Sequence, residues 1–224
     1  EAQMLLMKRK RVIHKAENKK MAITQLLNSL ESCEKLKYTF VFVPEGFEPD
    51  YSSNDSYDID SEDIHLIDEY AEIFKSHKYK YHKYISGIED APQTLLNFAN
   101  GDIDVLLSMK CLDEGVDIPR AENAIFLSST GNPRQFIQRR GRVLRTHVDK
   151  DKATIWDMIV LPPCDGEETN LEKNLFMGEG KRIVNFAALA DNKYDILYGE
   201  LKDICFNLGI DIFELLEKEE EQYK

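Results

Sequence analysis

Leu106-Leu-Ser-Met-Lys-Cys-Leu-Asp-Glu-Gly-Val-Asp-Ile-Pro119 is an apolar run, begun at Ile103, that passes directly into a polar loop carrying Gly115, Asp117 and Pro119. Short unbroken apolar runs of this kind are strands covered on both faces. In open α/β sheets, ligands sit at the carboxyl ends of such strands. An Asp held in that loop can bind a ribose hydroxyl. The plainer account is a strand-to-helix connection with Asp as the helix cap.

The same kind of run recurs on either side. Tyr38-Thr-Phe-Val-Phe-Val43 is stopped by Pro44, and Tyr79–Ile85, Ala124–Leu127 and Ala153–Val160 follow. Helical spacing fills the intervals: Ile64, Ile67, Tyr70, Ala71 and Phe74; then Pro92–Ala99, with Pro92 in the tolerated first turn; then Pro133–Leu144. Strands alternating with helices predict an α/β fold with a parallel sheet. Before it, Met4–Leu36 repeats apolar residues at helical spacing (Leu5, Val12, Ala16, Ile23, Leu27, Leu30), as one long amphipathic helix or two abutting ones. After Pro162-Pro163 the strands cease, and Leu171–Ala190, Tyr194–Leu208 and Ile210–Lys218 read as helices. Three parts are therefore expected: an N-terminal helix over 1–35 packing on the rest, a sheet domain over 36–162, and a C-terminal helical extension over 163–224.

Overlapping the end of Pro133–Leu144 is Gln138-Arg-Arg-Gly-Arg-Val-Leu-Arg145, five cationic or amide side chains in eight residues. Arg142 and Arg145 are three apart and are expected to share a helix face. Two guanidinium forks on one face suit a polyphosphate. A solvated basic helix is the alternative. Gly141 inside the helix costs about 1 kcal/mol relative to Ala, which points to close approach of a ligand or of another backbone segment.

Net charge is −12, which taken alone argues against a nucleic-acid partner. The charge is unevenly spread, however. Pro44–Phe74 holds 11 acids and no Lys or Arg, in part a polar loop over 45–61, whereas Arg134–Lys152 holds seven Lys/Arg against two Asp. A second basic cluster comprises Lys8, Arg9, Lys10, Arg11, Lys15, Lys19 and Lys20. Local clusters, not the total, decide what approaches. Cys33, Cys111, Cys164 and Cys205 are widely spaced, without C-x-x-C, and read as reduced thiols of a cytoplasmic protein that holds no metal. His65, His77, His82 and His147 lack metal or triad spacing, and Trp156 reads as core. No run reaches the ~20 apolar residues of a membrane span. The chain opens on Glu1 in a helical pattern, which reads as a piece cut from a longer protein.

The two motif segments, in this order, resemble motifs V and VI of superfamily 2 helicases. Glu114-Gly-Val-Asp-Ile-Pro119 followed by Gln138-Arg-x-Gly-Arg-x-x-Arg145 resembles the branch holding type III restriction subunits and excision-repair helicases. Tyr38–Gly46 resembles motif IV, and Ile85-Ser-Gly87 with Leu96-x-x-Phe98-x-x-Gly101 resembles the stretch between motifs IV and V. The resemblance implies a RecA-like sheet sandwiched by helices, the second of two such domains in a motor. It implies that Arg142 and Arg145 are arginine fingers reaching the γ-phosphate of ATP, and that Gln138 contacts nucleotide or the partner domain. Gly115 and Asp117 would lie near the ribose. Ser86, Gly87, Ser108 and Lys110 would touch the nucleic-acid backbone, Ser86 standing where Thr is expected.

The phosphate loop G-x-x-x-x-G-K-[ST] and the acidic box for Mg²⁺ are not in the sequence. Gly178-Glu-Gly-Lys-Arg182 lacks the upstream Gly and the final Ser/Thr, so it is rejected as a phosphate loop. ATP with Mg²⁺ is expected to be held mainly by an N-terminal RecA-like domain of the same protein. Further expected partners are a DNA or RNA backbone and a nuclease or methyltransferase subunit, with no membrane. Two rivals are a dinucleotide enzyme, which needs an absent G-x-G-x-x-G, and a non-catalytic interaction module derived from a helicase domain.

Overall fold

The computed structural model describes residues 13, 16–30, 36–44, 61–85, 90–109, 120–127, 133–162 and 170–221. Two compact units divide the chain, Glu1–Met158 and Ile159–Lys224.

The first unit is built on β1 (Thr39–Phe42), β2 (Tyr81–Tyr84), β3 (Val105–Ser108), β4 (Asn123–Phe126) and β5 (Thr154–Asp157). All pairings are parallel, and the order across the sheet is β2-β3-β1-β4-β5. This is the α/β parallel sheet expected from the alternation. The three inner strands are wholly buried, as parallel strands covered on both faces must be, while the edge strands β2 and β5 are only half-buried. Trp156, read as core, sits on the edge strand β5 and packs half-buried against the core.

Side chains alternate across the sheet. Val41 and Val43 of the β1 segment join Val105, Leu107 and Ile125 on one face. That face receives α1 (Asn18–Ser29) through Ile23 and Leu27, and α2 (Ser61–Ser76) through Ile67, Tyr70 and Phe74. Phe40 and Phe42 point the other way. There α3 (Ala91–Asn100) stacks Phe98 on Phe40, ring centroids 5.2 Å apart, and α4 (Pro133–Val143) lays Arg139 over the Phe42 ring at 5.2 Å. Helices thus cover both faces. Of the expected N-terminal helix, α1 is described; the rest, and the loop over 45–60, lie outside the described residues.

Helix α3 ends at Gly101, φ +81°, with the Gly101 amide donating to Phe98 O and the Asp102 amide to Asn97 O. A Cβ there would stand 2.8 Å from the Tyr38 hydroxyl oxygen. The Tyr38 ring is held edge-on to Phe98 and under the Arg120 guanidinium, 4.2 Å from its centroid. Gly101→Ala is therefore expected to lower stability by about 1–3 kcal/mol, seen as a lower urea midpoint. Gly141→Ala is the control, expected to be neutral or stabilising by up to about 1 kcal/mol.

The second unit contains α5 (Asn170–Ala187), α6 (Lys193–Tyr198), α7 (Glu200–Asn207) and α8 (Ile212–Glu220). Its core gathers Phe176, Ile183, Val184, Ala187, Leu197, Leu208 and Leu216, with Ile159 and Leu161 packed against it. The single helix expected over Tyr194–Leu208 is two, because Gly199 at ψ −144° turns its carbonyl out of the helical ladder. Cys205 is buried here, and burial pushes its thiol up to about 11, so it is held protonated and inert. Cys33, Cys111 and Cys164 lie outside the described residues. Among the described residues, no helix is long and apolar enough to cross a membrane.

Candidate functional site

The strands end in register. Tyr84, Ser108, Phe42, Phe126 and Asp157 form one row at the carboxyl edge of the sheet. The segments holding the expected nucleotide and strand contacts leave from this edge. Ser86 and Gly87 follow β2, and Lys110, Gly115 and Asp117 follow β3; all five lie outside the described residues. Ser108 itself is 1% exposed, and its hydroxyl is buried without a hydrogen-bond partner. The expected contact of this hydroxyl with a nucleic-acid backbone meets burial between β1 and β2, which keeps it from solvent in this structure.

Helix α4 starts past the carboxyl end of β4 and runs back to the start of β5, so its C-terminus lies at the amino edge of the sheet. Its arginines divide sharply. Arg139 and Arg140 are buried, 3% and 5% exposed, whereas Gln138 and Arg145 are exposed and Arg142 is half-buried. The sequence does carry a signal for Arg140. Phe136, Arg140 and Val143 follow i, i+4, i+7 spacing, the stripe that faces the sheet, and Phe136 and Val143 are buried with it.

Two expectations are corrected. Helix α4 ends at Val143, so Arg145 lies two residues past its end and shares no helix face with Arg142. A Cβ at Gly141 meets no atom within 4 Å, so no other described backbone crowds it. Among the described residues, no packing contact requires glycine at this position.

The end of α4 is fastened from outside. The Lys150 ammonium donates to Val143 O, to Arg145 O at 2.9 Å and to Ala121 O at 2.7 Å. Burial lowers its pKa from the ordinary ammonium value, opposed by the Glu122 carboxylate. Nearby, Arg120 Nη1 stands 3.7 Å from Asp149 Oδ2. Part of the second basic cluster is likewise used internally: Lys19 donates to Leu127 O at 2.8 Å, and Lys20 pairs with Glu69. Sequence reasoning missed Arg139, Lys19 and Lys150. Lys19 and Arg139 meet partners from distant segments, Leu127 O and the Phe42 ring, and Lys150 joins the nearby Val143 and Arg145 carbonyls to the remote Ala121 O. Among the described residues, no group of three His, Cys, Asp or Glu could hold a metal ion.

Comparison with known proteins agrees with the motif reading. Residues 52–147 match the family described as helicase conserved C-terminal domain. The match spans less than half of the chain. The chain is similar to the DNA 3'-5' translocase XPB2 of Sulfurisphaera tokodaii, at 38% identity over 77 residues, 34% of this chain and 17% of that protein. It is similar also to putative helicase 22 of a Sulfolobus islandicus filamentous virus, at 33% over 108 residues, 48% of this chain and 17% of that one. The matched region is thus about a sixth of the length of these relatives. Among solved structures, the C-terminal domain of the DEAD-box protein Dbp5 is similar at TM-score 0.49 and 16% identity, covering 84% of this chain and 91% of that one. The helicase match starts at 52, yet β1 upstream of it supplies the central strand of the first unit's sheet.

Proposed function

We propose that this chain is the second motor half of an ATP-dependent helicase or translocase, in which Arg142 and Arg145 reach the phosphates of a nucleotide held by an N-terminal RecA-like domain. The observation that carries the reading is the arginine segment within the matched stretch: α4 carries Arg142 in its last turn, beside Gly141, whose Cβ position no described atom crowds, and Arg145 follows just past its end, while Arg139 and Arg140 are buried. Guanidinium groups brought across a cleft stabilise the charge that spreads over the equatorial oxygens in phosphoryl transfer. Gln138 is proposed to meet nucleotide or the partner domain, and Gly115 and Asp117 the ribose. Mg²⁺ is assigned to the partner domain.

Ser86, Gly87 and Lys110 are proposed to meet the nucleic-acid backbone from the carboxyl edge of the sheet. DNA is the first strand to test, because the relative at 38% identity is a DNA translocase. Closure and reopening of the two domains would shift these contacts along the strand. The motor part is taken as 36–162 with helices before and after it, and the setting as cytoplasmic, from the spacing of the cysteines. A nuclease or methyltransferase partner rests on the motif resemblance alone.

The full-length protein is expected to hydrolyse ATP with stimulation by nucleic acid, and residues 1–224 alone to be inactive. Mixing 1–224 with the separately purified N-terminal domain checks whether the two halves make one site. Robust stoichiometric turnover by 1–224 alone, with contaminants excluded, overturns the proposal.

A further inference from the structure

We propose that Lys150 is a positioning residue for the arginine segment, tying the end of α4 to the chain where it re-enters the sheet before β4. The proposal rests on the reading of Arg142 and Arg145 given above.

The last carbonyls of a helix have no donor within the helix. In α4 the ladder closes with the Leu144 amide on Arg140 O, at 3.0 Å. Val143 O, inside the last turn, and Arg145 O, just past it, then need donors. Residues 147–150 form a tight turn, closed by the Lys150 amide on His147 O at 3.1 Å, with a bridge between the two residues. The turn brings the Lys150 side chain back under the helix end. An ammonium has three N–H groups and no acceptor. Here all three find carbonyls: Val143, Arg145 and Ala121.

The third carbonyl gives the tie its reach. Ala121 is fully buried, and the next two amides, Glu122 and Asn123, both donate to Tyr38 O at the entry to β1. Ala121 therefore belongs to the fixed amino edge of the sheet. It stands four residues after Asp117 in sequence, where the segment expected to hold the ribose returns to β4. Lys150 thus joins the exits of both motif segments through one cation. Basic groups are also favoured at a helix C-terminus by the helix dipole. The Arg120–Asp149 ion pair links the same two segments, so removing the ammonium leaves the turn attached.

The test uses Lys150→Met in the full-length protein, with Lys150→Arg as the conservative variant and the exposed Lys218→Met as control. Loss of a donor to two helix-end carbonyls is expected to speed amide exchange over residues 141–146 by about tenfold or more, with the amides of β1 and β3 unchanged. Small misplacement of an aligned group can cost on the order of 10²-fold in rate. Turnover in Lys150→Met is accordingly expected to fall by about tenfold or more, with ATP affinity within about twofold of the parent. Lys150→Arg should recover part of the rate and Lys218→Met all of it. Unchanged exchange at the end of α4, turnover within about twofold of the parent, or exchange accelerated equally throughout the first unit each overturn the proposal. Failure of the underlying reading shows separately, as an Arg142→Lys protein that turns over normally.

Discussion

Arg142→Lys in the full-length protein is expected to lower nucleic-acid-stimulated ATP turnover by on the order of 10³-fold or more, while ATP affinity stays nearly unchanged. The ground-state nucleotide would be held by the phosphate loop of the other domain. The arginine acts where charge develops, so its loss raises the barrier more than it weakens binding. Lysine keeps the charge but cannot reproduce the planar fork. Arg142 is half-buried in the last turn of α4, beside a carbonyl that Lys150 holds. Its guanidinium starts from a fixed backbone, and a preorganised donor contributes most. Arg145 stands exposed beyond the helix. Arg145→Ala is therefore expected to lower turnover in the same direction but by less. Single-turnover hydrolysis and equilibrium nucleotide binding, measured separately, check both. If both variants keep near-normal turnover, the arginine assignment is wrong and α4 is a basic surface helix.

Arg182→Met is expected to destabilise the second unit by about 3–5 kcal/mol, the usual cost of leaving one partner of a buried ion pair uncompensated. Arg182 Nη2 donates to Glu179 Oε2 at 2.9 Å, and the two side chains are 2% and 8% exposed. The same carboxylate accepts from the Val160 amide at 3.3 Å, so it also fastens the chain entering this unit to α5. Without the guanidinium, Glu179 loses the cation that neutralises its buried charge. Glu179→Gln combined with Arg182→Met removes both charges and is expected to recover most of the loss, since replacing a whole buried pair is often near neutral. Urea denaturation of the 1–224 chain, followed by the second unit's transition, reads both effects. A midpoint unmoved by Arg182→Met would mean that water reaches the pair.

These two arginines differ in what a sequence reading can reach. Gly178-Glu-Gly-Lys-Arg182 was weighed as a phosphate loop and rejected on its missing Gly and Ser/Thr. Glu179 and Arg182 stand three apart and could be paired from sequence, but their burial, and the Val160 amide that also donates to Glu179, come from the fold of the second unit. In Gln138–Arg145 the motif pointed to Arg142 and Arg145. It did not show that α4 stops at Val143, which separates them, nor that Arg139 lies over Phe42.

By itself, the sequence determined the strands, the helices between them and the parallel α/β class, because short unbroken apolar runs and period-3.6 spacing are written in neighbouring residues. Motif spacing pointed to a helicase C-terminal domain, and residues 52–147 match the family so described. Only the tertiary structure decided the order β2-β3-β1-β4-β5, the burial of Ser108, and which cations face inward. The reason is distance along the chain. Lys19 finds Leu127 O across 108 residues and Lys150 finds Ala121 O across 29. A long cationic side chain reads the same in sequence whether it meets solvent or a buried carbonyl. Its role is set by which remote backbone the fold brings within about 3 Å of its tip.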